Sequence, residues 1–359
     1  MTTEKTYHPL ERPYTKSVKQ YPHVKLSNDE PFGNQNAPGV QHKGIVLFQG
    51  DPYFAKLDTL NPAINGEWKP YFDYYYSSVA ESITSCFVHN MKPDPDFQSV
   101  DYEFAIFEHP NGDVTTGTLS DLYLSENEVE RPLATDRSAN IRTAMTIDEY
   151  AETIVDTNAS NRLHNLVNIS SKYGVEADKA KHFFVQQAGF DMMMGNMDRL
   201  NNPGNFILIQ NVATNDAHLV NFDYGRCLQN MWTEGMEERY DVASDYHDET
   251  VEDTVSDFVH SNDSIVSSLS NKDAIAFLQD EGFQPFELNR AQLEQDLDDL
   301  KQVIQDSSLP FPKFASLKID AMKELVNSDF AKQFYVDISP ELEIEKTTKL
   351  DTDIEVEPA

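Results

Sequence analysis

The chain has 359 residues, enough for one large hydrophobic core or two ordinary ones, and its 39% apolar and 11% aromatic content excludes a globally disordered polymer. Its 61 acidic and 28 basic residues give a formal charge of −33, so direct binding of nucleic acid is not expected, because phosphate recognition depends on Lys and Arg. The two cysteines, Cys86 and Cys227, make neither a disulfide framework nor a zinc cluster. There is also no apolar run of membrane-spanning length and no leader-like N-terminus, so a reducing cytoplasmic setting without a membrane is expected.

The charge is uneven. Residues 1–28 carry five Lys or Arg against two Glu, whereas 235–306 carry 19 acidic against 4 basic residues. The acidic stretch reads either as a solvated face or as a docking site for a basic protein.

Taken in chain order, residues 1–43 are polar and rich in Pro, Gly and Asn, ending in "PFGNQNAPGVQHKG". In "GIVLFQGDPYFAKLD" two apolar runs, 45–49 and 53–57, flank Gly50-Asp51-Pro52 and predict a hairpin. "YSSVAESITSCFVH" sets Val79, Ile83, Cys86 and Phe87 at helical spacing, and "YEFAIFEHPNGDVTTGTL" predicts two more strands about a Pro-Asn-Gly turn. From 146 the pattern turns helical. A Thr146…Glu149 capping box opens a helix with Ile147, Tyr150 and Ile154 on one face, and "DKAKHFFVQQAGFDMMMG" predicts a longer one. "NFILIQN" and "AHLVNFDYG" form a second kind of hairpin, and "RAQLEQDLDDLKQVIQ" a helix with Leu293, Leu297, Leu300 and Ile304 inward. No internal repeat is present. The order predicts an N-terminal extension (1–29), a β-rich N-lobe (30–135), a helical C-lobe (136–335) and an acidic tail (336–359), with the lobe junction near 126–145.

The chemistry concentrates in "GFDMMMGNMDRLNNPGNFILI", residues 189–209, where Asp198, Arg199 and three Asn residues (201, 202 and 205) lie between apolar flanks. A hairpin brings the start of its first strand beside the end of its second, so Asp198, Asn205 and Asp223 of "NFDYG" are candidates to converge. Two oxygen donors suit magnesium on a nucleotide triphosphate, and a neighbouring Asp can accept a proton from an attacking hydroxyl. Lys56 in "YFAKL" is mid-strand and Glu81 in "VAESI" is on the following helix, completing the order Lys, Glu, Asp, Asn, Asp of a kinase. Two alternatives stand beside this. Ser78…Glu81 also fits a capping box, and Lys56 could point to solvent.

The segments "APGVQHKGIVLF", "YFAKL", "SVAESITSCF", "FAIFEH", "GTLSDLYL", "FDMMMGNMDRLNNPGNFILI" and "VNFDYG" occur in one order across 30–230. In that order the chain resembles the HipA-like serine/threonine kinases, the bacterial group of the HipA toxins and CtkA-type kinases. The resemblance implies a bilobal α+β protein-kinase-like fold with ATP and Mg²⁺ as cofactors. It implies that Gly39, Val40, Gln41 and Lys43 belong to a phosphate-covering loop, that Lys56 contacts the phosphates with Glu81 as its partner, and that Glu108 and His109 lie at the hinge near adenine. Asp198 would be the catalytic base, and Asn205 and Asp223 the magnesium ligands.

The chain also departs from the group. Leu200 stands where members usually carry His, and Asn205 lies seven positions after Asp198 where five is common, which makes Asn202 its competitor for the metal. Asn34-Gln35-Asn36 replaces the serines that many HipA toxins autophosphorylate. The expected activity is transfer of the ATP γ-phosphoryl group to a protein Ser or Thr, with a toxin-like role and an antitoxin-like partner as further expectations. The alternatives are a pseudokinase that docks a basic partner through its acidic surface, or a kinase acting on a small molecule or lipid.

Overall fold

The computed structural model describes residues 22–26, 41–60, 77–110, 112, 114–122, 124, 127–132, 143–155, 158–196, 199, 205–225, 227, 264–306 and 312–340. Strands β1 (His23–Lys25), β2 (Gln41–Phe48), β3 (Asp51–Leu60), β5 (Glu103–Glu108) and β6 (Val114–Asp121) form one sheet in the order β1-β5-β6-β3-β2. The β2–β3 turn is tighter than the sequence suggests. Phe48 pairs with Asp51 across Gln49 and Gly50, whose φ values of 55° and 98° are those of a two-residue hairpin turn, so Asp51-Pro52 opens the second strand. Strand alternation divides this sheet. Val24, Leu26, Val46, Ala55, Leu57, Ala105, Phe107 and Leu119 pack together on one face. Lys43, Ile45, Phe54, Lys56 and Asp58 fall on the other by the period of two.

That second face receives helix α1 (Ser77–Asn90), which is buried along nearly its whole length. Its buried hydroxyls return hydrogen bonds to the preceding turn, Ser82 to the Ser78 carbonyl at 2.7 Å and Thr84 to that of Ala80 at 2.9 Å. Val79, Ile83, Cys86 and Phe87 of α1 and Phe104 and Ile106 of β5 belong to the same apolar cluster as the helical half of the molecule.

A second sheet, β4-β9-β8-β7, comprises β4 (Gln98–Ser99), β7 (Glu128–Pro132), β8 (Phe206–Asn211) and β9 (Ala217–Asn221). Around it stand α2 (Ile147–Val155), α3 (Ala159–Lys172), α4 (Ala177–Met194), α5 (Asn271–Asp280), α6 (Arg290–Asp306) and α7 (Pro312–Asn327), with β10 (Phe286–Leu288) paired to β11 (Tyr335–Asp337). Several features expected from sequence are present. The Thr146 N–H donates to Glu149 Oε2 at 2.8 Å and the Glu149 N–H to Thr146 Oγ1 at 3.2 Å, which is the reciprocal capping box. Leu293, Leu297, Leu300 and Ile304 are fully buried on α6. Phe97, Phe190 and Phe286 pack ring to ring, with centroids 5.4–5.9 Å apart, where β4, α4 and β10 meet. Cys86 and Cys227 are buried and not joined in a disulfide, and no described helix is long and apolar enough to cross a membrane.

Strand pairing runs across three of the expected boundaries. β1 lies within the supposed extension yet pairs in parallel with β5. β7, placed in the N-lobe by a boundary at 135, pairs with β8, so the chain crosses between sheets over 122–127. β11 lies across the boundary drawn between 335 and 336, yet pairs with β10.

Candidate active site

Lys56 lies at the meeting of the two halves. Its Nζ is 2.5 Å from Glu81 Oε1 on α1 and 2.5 Å from Asp223 Oδ1, beyond the end of β9. The side chains of Lys56 and Glu81 are 4% and 1% exposed and that of Asp223 is 19%, so only Asp223 presents an oxygen toward solvent. Thr118, opposite Lys56 on β6, donates to the second Glu81 oxygen at 2.8 Å. Glu81 therefore pairs with the lysine, and the capping-box alternative falls: α1 begins at Ser77, which puts Ser78 inside the helix. Lys56 does not point to solvent either.

The electrostatics follow from this crowding. Burial alone would lower Lys56, but Asp223 and Glu81 outweigh it and hold its ammonium protonated well above the usual lysine range. Burial alone would raise Asp223, yet Lys56 and Lys43 bring it down to about 2. Glu81 is pushed upward by burial, with Lys56 acting against that shift. Lys43, half-buried and directly across β2–β3 from Lys56, is depressed by burial, with Asp223 opposing and the neighbouring Lys56 ammonium adding to the shift.

Arg199 answers why charged and amide residues sit between greasy segments. Its guanidinium donates to both Asp191 oxygens (Nε at 3.1 Å, Nη2 at 3.2 Å), and Nη1 donates to the carbonyls of Asn205 at 2.8 Å and Phe222 at 2.7 Å. One nitrogen thus ties the residue that opens β8 to the residue preceding Asp223, in a hairpin where Phe206 already pairs with Asn221. Asp191 is fixed in turn by the end of α4. Gly195 takes a left-handed φ of 58°, and the Asn196 side chain donates to Asp191 Oδ1 at 2.9 Å. Tyr224 fills the interior behind, with its ring 5.4 Å from the Arg199 guanidinium carbon and its hydroxyl 2.8 Å from Ser99 Oγ. Asp223 itself has φ 55°, a left-handed value that Asp tolerates better than most residues, and this turns its carboxylate to Lys56 while Tyr224 stays inside. The sequence shows Arg199 and Asp191 only as charges in an apolar run; their burial is the missing signal.

Asp223 is the described site residue whose chemistry suits a small hard cation. It is an ionised carboxylate at the cleft, and Asn205, just before β8, is a buried amide of the oxygen-donor type. Among the described residues no cluster of three His, Cys, Asp or Glu is arranged to hold a metal. One or two protein oxygens completed by phosphate and water is the mode magnesium takes.

Of the other expected site residues, Gly39, Val40, Asp198 and Asn202 lie outside the described residues, as do Asn34–Asn36 and Leu200. Gln41 starts β2. Glu108 and His109 lie at the end of β5, one strand before the chain leaves the first sheet. Glu108 closes β5 opposite Val114 and pairs with Lys25 at 3.4 Å, and His109 follows it with Nε2 2.9 Å from Thr115 Oγ1. After β6 the chain passes to the second sheet at β7. The acidic stretch is described only from 264 onward.

No protein-family model matches the chain, and no curated protein sequence matches it. Among solved structures, it is similar to the Helicobacter pylori proinflammatory kinase CtkA, with a TM-score of 0.50 and 12% identity over 87% of this chain and 97% of that chain. At this identity the likeness is one of fold, and the fold is a bilobal α+β, kinase-like one.

Proposed function

We propose that the chain is a HipA-like kinase that transfers the γ-phosphoryl group of ATP to a Ser or Thr of a protein. The observation that carries the reading is the buried Lys56 ammonium shared by Glu81 and Asp223, a cation held at one height beside an ionised, cleft-facing carboxylate. The order of "GVQHK", "GNMDRLNNPGN" and "NFDYG" supports the HipA-like assignment, and the likeness to CtkA supports a phosphotransferase in general.

In this reading Lys56 and Lys43 neutralise the phosphates, while Asp223 and Asn205 (or Asn202) hold magnesium. Magnesium, when bound, supplies positive charge against the β- and γ-phosphates. The apolar cleft side of the sheet, Ile45 (44% exposed) and Phe54 directly opposite it, provides a roof for the purine, and the crossing segment 122–127 takes the place first given to Glu108 and His109. The acceptor hydroxyl oxygen bonds to the γ-phosphorus as the bridge to the β-phosphate breaks and ADP leaves. Asp198 receives the hydroxyl proton. Lys56 and Arg199 do their part beforehand, by holding Asp223 and the hairpin in place, so that most of the catalysis is electrostatic positioning.

The test is phosphoryl transfer from γ-labelled ATP to the protein itself and to a cell lysate. Asp198→Asn is expected to abolish transfer while retaining ATP binding. Wild-type transfer by folded Asp198→Asn would refute the base assignment, and ATP binding without transfer by the wild type would mark a pseudokinase.

A further inference from the structure

A second set of contacts runs parallel to the Lys56 set, and neither the sequence motifs nor the proposed mechanism uses it. Asp58 lies two residues beyond Lys56 on β3, 1% exposed. Its Oδ1 accepts the Ser78 N–H at 3.2 Å, and its Oδ2 accepts the Ser78 hydroxyl at 2.5 Å and the Thr116 hydroxyl at 2.7 Å. Ser78 is three residues before Glu81 on α1, and Thr116 is two residues before Thr118 on β6. The same three elements are therefore tied twice, about one helical turn apart: Lys56–Glu81–Thr118 at the cleft and Asp58–Ser78–Thr116 beyond it. Two registers must agree, that of β3 against β6 and that of α1 against both.

The first N–H groups of a helix lack intrahelical partners, and a carboxylate accepting one of them also meets the positive end of the helix dipole. Usually such a cap comes from the residue just before the helix. Here it comes from a strand of the sheet that carries the lysine, so capping α1 and setting its height on β3 are one act. The donors to Asp58 are neutral. Burial pushes its carboxyl up to about 7, with Ser78 and Thr116 acting downward and Glu81 on the facing helix adding upward. The charged groups facing this site are Glu81 from α1 and, on its own strand, Lys56; β6 presents Thr116 and Thr118, and β2 presents Lys43 across from Lys56.

We propose that Asp58 is a positioning residue of the nucleotide site, holding α1 at the height and rotation at which Glu81 meets Lys56. The role rests on the kinase reading only in its consequence for transfer; the hold on α1 stands apart from it. The experiment compares wild type with Asp58→Asn, which keeps size and shape, after equal far-UV circular dichroism shows both are folded. Two quantities are read as functions of pH: amide exchange protection over 78–83 without nucleotide, corrected for intrinsic rates, and kcat and KM for Mg-ATP-dependent transfer.

In the wild type, protection of 78–83 is expected to change through pH 7. Above pH 7, where the wild-type carboxyl is ionised, Asp58→Asn should be lower by about tenfold, the size expected for a lost charge-assisted hydrogen bond, and it should be flat through that pH. kcat should fall by a similar factor while KM for the acceptor stays unchanged, and the inflection near pH 7 should vanish. Wild-type protection and pH profile in Asp58→Asn would overturn the proposal. Absence of transfer in the wild type itself would refute the kinase reading, and the exchange data would still decide the hold on α1.

Discussion

At the scale of the residue, the arrangement is decided by how few charges serve so many contacts. Asp223 is the clearest case, because its left-handed backbone, its contact with Lys56 and its partial exposure all point the same way. Its carboxyl is brought from the ordinary 3.8 to about 2, burial being outweighed by Lys56 and Lys43. The folded state therefore holds the charged form more tightly than the unfolded chain does. The resulting stability is present above pH 4 and is lost as pH falls from about 4 toward 2, because the unfolded chain binds the proton first. A shift of this size corresponds to about 2–3 kcal/mol, using roughly 1.4 kcal/mol per unit. Chemical unfolding between pH 5 and pH 2 should show that loss in the wild type and a shallower one in Asp223→Asn. Identical slopes would mean that Lys56 does not stabilise the Asp223 charge. Arg199 is the other residue whose role shows only in three dimensions: its type is visible in "NMDRL", but its reach to two backbone carbonyls depends on folding.

At the scale of the element, α1 is the part whose placement matters most, and it is pinned at both ends. At its C-terminal end the Asn90 side chain donates to Asp296 on α6 at 2.7 Å, and the Asn289 N–H donates to the Asn90 carbonyl at 2.8 Å. At its N-terminal end Ser77 sits against Gly225. A Cβ at Gly225 would overlap the Ser77 hydroxyl and approach Lys56 Nζ at 3.3 Å. Gly225→Ala should therefore displace the start of α1 and cost about 1–3 kcal/mol, the usual range for overpacking a filled site. Adding Ser77→Gly should recover much of that loss, a coupling readable from a double-mutant cycle of unfolding free energies. Strict additivity of the two substitutions would show that α1 does not rest on this glycine. The local patterns of the elements are legible in sequence because their causes are local: the leucine spacing of α6, the Thr146–Glu149 box and the existence, though not the exact residues, of the β2–β3 turn. The pairing of Gln98–Ser99 with β9 and the capping of α1 by Asp58 are not, because each joins residues far apart in the chain that carry no periodic signal.

At the scale of the whole molecule, the order of strands in the first sheet decides where the chain leaves that sheet. Sequence order alone makes "FEHP" attractive, since it follows an apolar strand as a hinge would. The pairing of β6 with β3, Thr118 opposite Lys56, shows that one more strand intervenes before the chain leaves the sheet. The candidate site was legible as a set of residue types in the right order, and Lys56, Glu81 and Asp223 do meet. What sequence could not supply was their shared hydrogen bonds, or the common apolar core that runs from α1 into α4 and α6 and fixes one half of the molecule on the other. The acidic charge of −33 has no such structural counterpart in the described site, where two lysines and an arginine surround Asp223. Counting Glu81 and Asp191 beside Asp223, the three cations and three carboxylates there balance, in contrast to the strong overall negative charge.

The most direct measurement is calorimetric titration of ATP into the wild type, Lys56→Met and Asp223→Asn, each with and without Mg²⁺. The account predicts binding by the wild type that strengthens at least tenfold with Mg²⁺, loss of that gain in Asp223→Asn, and weakened binding in Lys56→Met under both conditions. Equal ATP affinity in all three proteins, or no binding by the wild type, would contradict it.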